Sequence, residues 1–218
     1  MPPSPTTVPG SAEPTGGQAP DLRELLGRPA AEVAPGLLGL RLSHTTEEGT
    51  VTVELTEVEA YMGPDDPASH AYRGPTPRNV VMFGKSGHLY TYFSYGMHWC
   101  CNVVTGPDGH ASAVLLRAGR VVEGTDLARR RRGDRVTDRS LARGPGCLGQ
   151  ALGLNRDHNG VDLLADGPVR LEATVPVEPG RVASGHRVGV SLAHDVPWRF
   201  WVEGDPSVSA YKRSPRAR

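Results

Sequence analysis

A chain of 218 residues, 38% hydrophobic and 22% charged, can bury one substantial core, so one domain is its default organisation. It has no apolar run near the ~20 residues that cross a bilayer, and no basic-then-apolar N-terminal pattern, so a cytoplasmic protein with no membrane partner is expected. Its 24 basic and 24 acidic side chains cancel, without the basic excess usual in a nucleic-acid binder.

The neutral total hides an asymmetry. Seven acids and no Lys or Arg lie between His44 and Asp66, whereas nine arginines and four acids lie between Arg117 and Arg143. A field that is positive on one side survives such cancellation. The run Arg129–Arg132 reads equally well as a solvated helix face. Cys100, Cys101 and Cys147 are odd in number and form no Cys-x-x-Cys pair, so ordinary buried thiols are expected rather than a disulfide framework or a zinc site.

Residues 1–20 hold six prolines and three glycines without apolar periodicity and are expected to form a disordered tail. From Asp21 to Leu42 the pattern is helical in pieces, with Asp21 as a cap and Pro29 in the first turn of a second helix. A polar loop over residues 43–49 leads into a strand whose Val51, Val53 and Leu55 alternate with polar residues. Extended forward, that alternation places Glu57, Glu59 and Tyr61 on the apolar face, unless a bulge reverses the phase.

Three further strands follow, over residues 87–95, 98–104 and 111–119, joined by short turns as in an antiparallel meander. Residues 122–133 and 144–155 read as helices, and residues 168–175, 186–191 and 197–204 as strands. The whole suggests a single α+β domain around a mainly antiparallel sheet. The glycine string at 144–149 matches a dinucleotide fingerprint but follows a basic helical stretch and contains Pro145, which argues against a nucleotide cofactor. The eight histidines include no His-x-x-x-His pair, so neither a metal nor any other cofactor is expected.

Three features could carry chemistry. Glu57 and Glu59, two residues apart on one strand, would sit roughly 6–7 Å from each other, close enough to raise one another's pKa. Tyr90, Tyr92 and Tyr95 crowd one strand, and Tyr95 adjoins Gly96 at a hairpin tip, where an aromatic side chain suits a partner better than a core. Arg117 closes the apolar strand at 111–117.

The blocks "EVEAYMGPDDPASHA", "TPRN", "MFGKSGHLYTYFSYGMHWCCNVV", "AVLLRAG" and "GPGCLGQALGLN" resemble the alkyladenine (3-methyladenine) DNA glycosylase family in order and spacing, from about Leu37 to Asp205. The resemblance implies a curved sheet like the barrel of the formyltransferase C-terminal domain, flanked by helices and bearing a protruding hairpin. It implies an enzyme that flips alkylated or deaminated purines out of duplex DNA and hydrolyses the N-glycosidic bond without strand cleavage. Glu59 would be the general base and Arg117 would hold the attacking water; Tyr61, His70, Tyr92 and Asn102 would line the base pocket. Tyr95 and Met97 would enter the duplex, and Arg78 and Lys85 are candidates for phosphate contacts.

On this reading residues 21–206 form the glycosylase domain, preceded by the tail at 1–20 and followed by a basic tail at 207–218. A monomer acting on double-stranded DNA that contains a damaged purine is expected, at the nucleoid if the source is bacterial. The alternatives are a non-catalytic binder of damaged or distorted DNA and an RNA-binding relative of the same fold.

Overall fold

The computed structural model describes residues 19–94 and 96–217. The tail at 1–20 therefore lies outside the described residues except for Ala19 and Pro20, and so does Tyr95. Two short helices open the fold: α1 (Leu22–Leu26), capped by the Asp21 carboxylate on the Arg23 and Glu24 N–H groups, and α2 (Ala30–Val33). Pro29 sits at the cap of α2, one place earlier than its expected position in the first turn.

The polar stretch expected as a loop is instead mostly strand β1 (Arg41–Thr46), which pairs with β2 (Gly49–Tyr61). Its alternation is disguised because one of the two inward residues is a histidine: Leu42 and His44 are both buried. The meander β3 (Leu89–Ser94), β4 (His98–Val104) and β5 (Ala113–Glu123) follows as expected. After it come α3 (Thr125–Arg132), the two-residue β6 (Ala142–Arg143), α4 (Pro145–Leu152), β7 (Val169–Glu172), β8 (Val182–Gly185) and β9 (Arg199–Val202). No helix among the described residues is long and apolar enough to cross a membrane.

The nine strands among the described residues belong to one open sheet, ordered β3-β4-β5-β2-β1-β7, with β6 joining β5 and the β8–β9 hairpin joining β2. Every pairing between the named strands is antiparallel. The two long central strands exchange outer partners along their length. β2 pairs with β1 up to Glu54 and with β9 from Glu57, while β5 pairs with β4 up to Leu115 and with β6 from Ala118.

The exchange falls where the β2–β5 register is irregular: Leu55 faces Gly119, Glu57 faces Ala118 and Val58 faces Leu116, leaving Thr56 and Arg117 without opposite numbers. An extra residue of this kind reverses the phase of a strand. Val51, Val53 and Leu55 therefore share the core with Val58 and Ala60, not with Glu57 and Glu59. The simple alternation expected from the sequence fails at this bulge.

The helices close over that apolar face. Leu26, Val33, Leu127, Leu148 and Leu152 pack with the inward residues of β1, β2, β4 and β5. The glycine string before and within α4 serves this packing. A Cβ on Gly149 would stand 2.2 Å from the Trp99 carbonyl oxygen, so only glycine lets α4 approach β4 so closely. The arginine run of α3 also turns largely inward. Arg131 donates to the Ala151 and Leu152 carbonyls, Arg132 to the Leu141 carbonyl and the Gln150 side chain, and Arg129 to Val136 and Asp138.

A histidine pair ties β1 to the loop after α4. The Asn155 N–H donates to His158 Nδ1 at 3.1 Å, which puts the His158 proton on Nε2, facing His44 Nε2 at 3.2 Å. His44 then donates from Nδ1 to the Leu152 carbonyl at 2.7 Å. The chain requires both rings neutral, and burial lowers both pKa values. Because the unfolded rings protonate near ~6.5, the unfolded state binds more protons below that pH. Stability is thus fully present above ~6.5 and falls as pH drops through the lower folded values. Thermal melts between pH 7.5 and 5 should show the wild type losing Tm more steeply than His158→Gln; parallel curves would rule out this coupling.

Candidate active site

The sheet face turned away from the helices carries a row of paired residues across five strands: Tyr90, Asn102, Leu115, Glu59 and Arg199. Paired residues share a face, so register alone brings these side chains together. Beside the row is a cavity of about 510 Å³, within the usual range for small-molecule sites. Its walls include Tyr61, His70, Tyr92, Asn102 and Arg117, with Arg78 and the loop residues Val188–Ser191.

Glu59 is fully buried beside this cavity. Its Oε2 accepts the Tyr61 hydroxyl at 2.9 Å and lies 3.4 Å from Arg117 Nη1; its Oε1 accepts the Val188 N–H at 2.6 Å. Burial, then the Glu59 and Tyr92 charges, hold the Tyr61 phenol far above its ordinary pKa, so it remains a donor. Glu57 is surrounded by donors. Its Oε1 accepts from Arg117 Nε, Arg199 Nε and Ser209 Oγ, and its Oε2 from Ser209 N–H. Burial alone would raise its pKa, but Arg117, Arg199 and the Ser209 N–H outweigh this and keep it below the ordinary value. Glu57 is thus an anion fixed by four donors.

The aromatic wall is ordered by contacts among its own members. His70 meets Tyr92 edge-on with ring centroids 4.6 Å apart, and its Nδ1 is 3.3 Å from the Tyr90 hydroxyl. Burial and the nearby Arg78 charge lower the His70 pKa, favouring a neutral ring. Arg78 lies 5.6 Å over the Tyr92 ring at the mouth. Asn102 is oriented by donating its side-chain amide to the Tyr90 carbonyl at 3.1 Å. Phe93, which lines the cavity, is exposed, and Met97, outside the lining at the β3–β4 turn, is exposed by 69%. Lys85 is exposed and lies apart from the cavity lining.

A methylpurine-DNA glycosylase family model matches residues 24–206. The chain belongs to this family. It is 52% identical to a protein of Streptomyces avermitilis over 92% of this chain and 96% of the relative. It is 56% identical to one of Nocardia farcinica, over 81% and 86% respectively, and 50% identical to one of Frankia casuarinae, over 93% and 98%. Each of these relatives bears the name "Putative 3-methyladenine DNA glycosylase".

The site of this methylpurine-DNA glycosylase family member also contains charged residues that the sequence reading did not single out. Asp66 and Arg187 form a fully buried pair, Asp66 Oδ1 accepting from Arg187 Nη2 at 2.9 Å. Arg187 also donates to the Ala60 carbonyl and stacks 4.7 Å from the Tyr61 ring centre. The pair fastens the turn after β2 to the loop that carries Val188. This explains why residues 186–191, expected as a strand, form a loop: the strand ends at Gly185, and the Arg187 side chain and Val188 N–H turn to Asp66 and Glu59. Nothing in the periodicity marks Arg187. Arg199 did carry a signal comparable to that of Arg117: an arginine at the edge of an apolar run.

Breaking a buried pair by removing one partner leaves an uncompensated charge. Arg187→Ala should therefore cost about 3–5 kcal/mol in urea unfolding. A loss no larger than that of an exposed substitution would show that the pair does not fasten these loops.

Proposed function

We propose that this protein rotates a damaged purine out of duplex DNA into the cavity and hydrolyses its N-glycosidic bond, leaving an abasic site. The observation that carries this reading is the acceptor count at Glu59. A carboxylate offers about four lone-pair sites. Tyr61 takes one on Oε2 and Val188 N–H one on Oε1, with the Arg117 guanidinium 3.4 Å from Oε2, so the carboxylate keeps acceptor capacity for a water proton. Glu59 is the general base of this proposal, and the oxygen of that water attacks C1′ of the sugar. The C1′–N bond breaks with its electron pair going to the purine, and the water proton passes to Glu59.

The remaining residues have matching roles. The sugar acquires positive charge as the base leaves, and the Glu59 carboxylate stabilises it. Arg117 holds the water, while its pairing with Glu57 offsets the repulsion its own charge would exert on the sugar. Tyr61 stacks on one face of the flipped base, and His70 and Tyr92 pack against the other. These aromatic faces favour a cationic lesion such as 3-methyladenine by ~0.5–2 kcal/mol. A neutral lesion such as hypoxanthine needs protonation to leave as readily. Asn102 crowds the 2-amino group of guanine and so protects the normal base. Tyr95, with Met97 beside it, fills the space left in the duplex, and Arg78 and Lys85 contact phosphate.

The reaction calls on no cofactor. No lysine lines the cavity among the described residues, which supports hydrolysis without strand cleavage. A monomer acting on one lesion is part of this reading.

The test is single-turnover release of hypoxanthine and 3-methyladenine from duplex DNA by the wild type and by Glu59→Gln. The substitution should lower the rate by roughly 10²–10⁴-fold, the usual contribution of a positioned general base. Lesion binding should be retained. Tight lesion binding without release by the wild type would identify a damage binder and overturn the assignment of Glu59.

A further inference from the structure

The family match ends at Pro206, yet the chain beyond it enters the site. Ser207 N–H and Oγ donate to Asp205 Oδ1, and Ser207 Oγ meets Thr56 Oγ1 at 2.7 Å, at the β2 bulge. Arg143 Nε holds the Val208 carbonyl at 2.8 Å. Farther on, the Lys212 carbonyl accepts the N–H of Gly189, the neighbour of Val188. The segment from 207 to 212 is thus fastened at several points, from the β2 bulge to the loop that carries Val188.

Ser209 is the centre of this contact. Its N–H donates to Glu57 Oε2 at 2.7 Å and its hydroxyl to Glu57 Oε1 at 2.9 Å. The same hydroxyl oxygen accepts from Arg117 Nη2 at 3.4 Å, and the Ser209 carbonyl accepts from Arg199 Nη2 at 2.7 Å. A hydroxyl has one proton to give and two lone pairs to receive with, so these roles are compatible. Arg117 consequently has a different partner at each nitrogen: Glu57 at Nε, Glu59 at Nη1 and Ser209 at Nη2. A planar guanidinium fixed at three nitrogens has one orientation, and that orientation presents Nη1 to Glu59.

We infer that Ser209 is a positioning residue for the reaction: together with Glu57, it aims Arg117 at the Glu59 carboxylate. It touches neither the base nor the sugar, and it acts through the guanidinium. The inference rests on the proposed role of Glu59 and Arg117 for its kinetic consequence, but its geometric part stands apart from that role.

The experiment compares wild type, Ser209→Ala and Ser209→Thr in the full chain, with two readouts. The first is single-turnover release of hypoxanthine from duplex DNA alongside equilibrium binding of the same lesion duplex. Ser209→Ala should react roughly tenfold more slowly, less than the ~10²-fold cost of a full 1 Å misplacement, with lesion binding unchanged and the protein folded at the assay temperature. Ser209→Thr, which keeps the hydroxyl, should restore the rate. The second readout is hydrogen exchange at the Arg117 Nε–H, followed by NMR with 15N-arginine, which should accelerate in Ser209→Ala alone.

A wild-type rate and wild-type exchange in Ser209→Ala would overturn the inference. So would a loss that tracks lesion binding, or one that Thr does not restore. If the wild type releases no base, the proposed reaction fails, and the exchange measurement still decides whether Ser209 orients Arg117.

Discussion

Six buried charges that neutralise one another set the conditions for the rest of this structure. Glu57, Glu59 and Asp66 face Arg117, Arg187 and Arg199, and none of the six is more than 6% exposed. Removing such ions from water costs several kcal/mol each, so every member must find its partner with good geometry. The secondary structure conforms to this demand. Opposed bulges in β2 and β5 bring Glu57 and Arg117 together, β9 replaces β1 beside β2 to deliver Arg199, and the chain after β8 leaves the sheet to deliver Arg187.

The arrangement separates two carboxylates that look equivalent on paper. Glu57 takes four donors and is held ionised by two guanidiniums; Glu59 takes two hydrogen bonds, shares one guanidinium and retains acceptor capacity. The like-charge coupling expected from their spacing is therefore relieved by Arg117 between them. A neutral cluster also suits the proposed chemistry, because a sugar acquiring positive charge meets a local negative end without facing an uncompensated positive one.

Much of the architecture was legible in the sequence. The meander, α3 and α4 follow from alternation and turn chemistry, because their apolar patterns are driven by one helix-covered face of the sheet. The bulge was legible too, had the apolar residues been followed instead of the alternation. Val51, Val53, Leu55, Val58 and Ala60 advance by two except for one step of three, and Val114, Leu116, Gly119 and Val121 show the same single step. What sequence reasoning could not reach were contacts between residues far apart in the chain. Arg187 reaches back 121 residues to Asp66, and Ser209 reaches back 152 residues to Glu57. Neither pairing leaves a periodic trace. The arginine run misled for a related reason: its density suggested an outward patch, whereas carbonyls of the neighbouring loops and of α4 draw three of its four side chains inward.

The bulge at Thr56 also determines how this region can change length. In an ordinary strand, one added or lost residue throws every later side chain to the opposite face. Here the surplus residue is absorbed locally, so a strand lacking Thr56 would regain plain alternation and still send Val58 and Ala60 into the core. The same loss would remove the Thr56 hydroxyl that meets Ser207 at 2.7 Å, and with it one of the points that seat the chain beyond Pro206. At this one position the pairing of the sheet and the seating of that segment come apart.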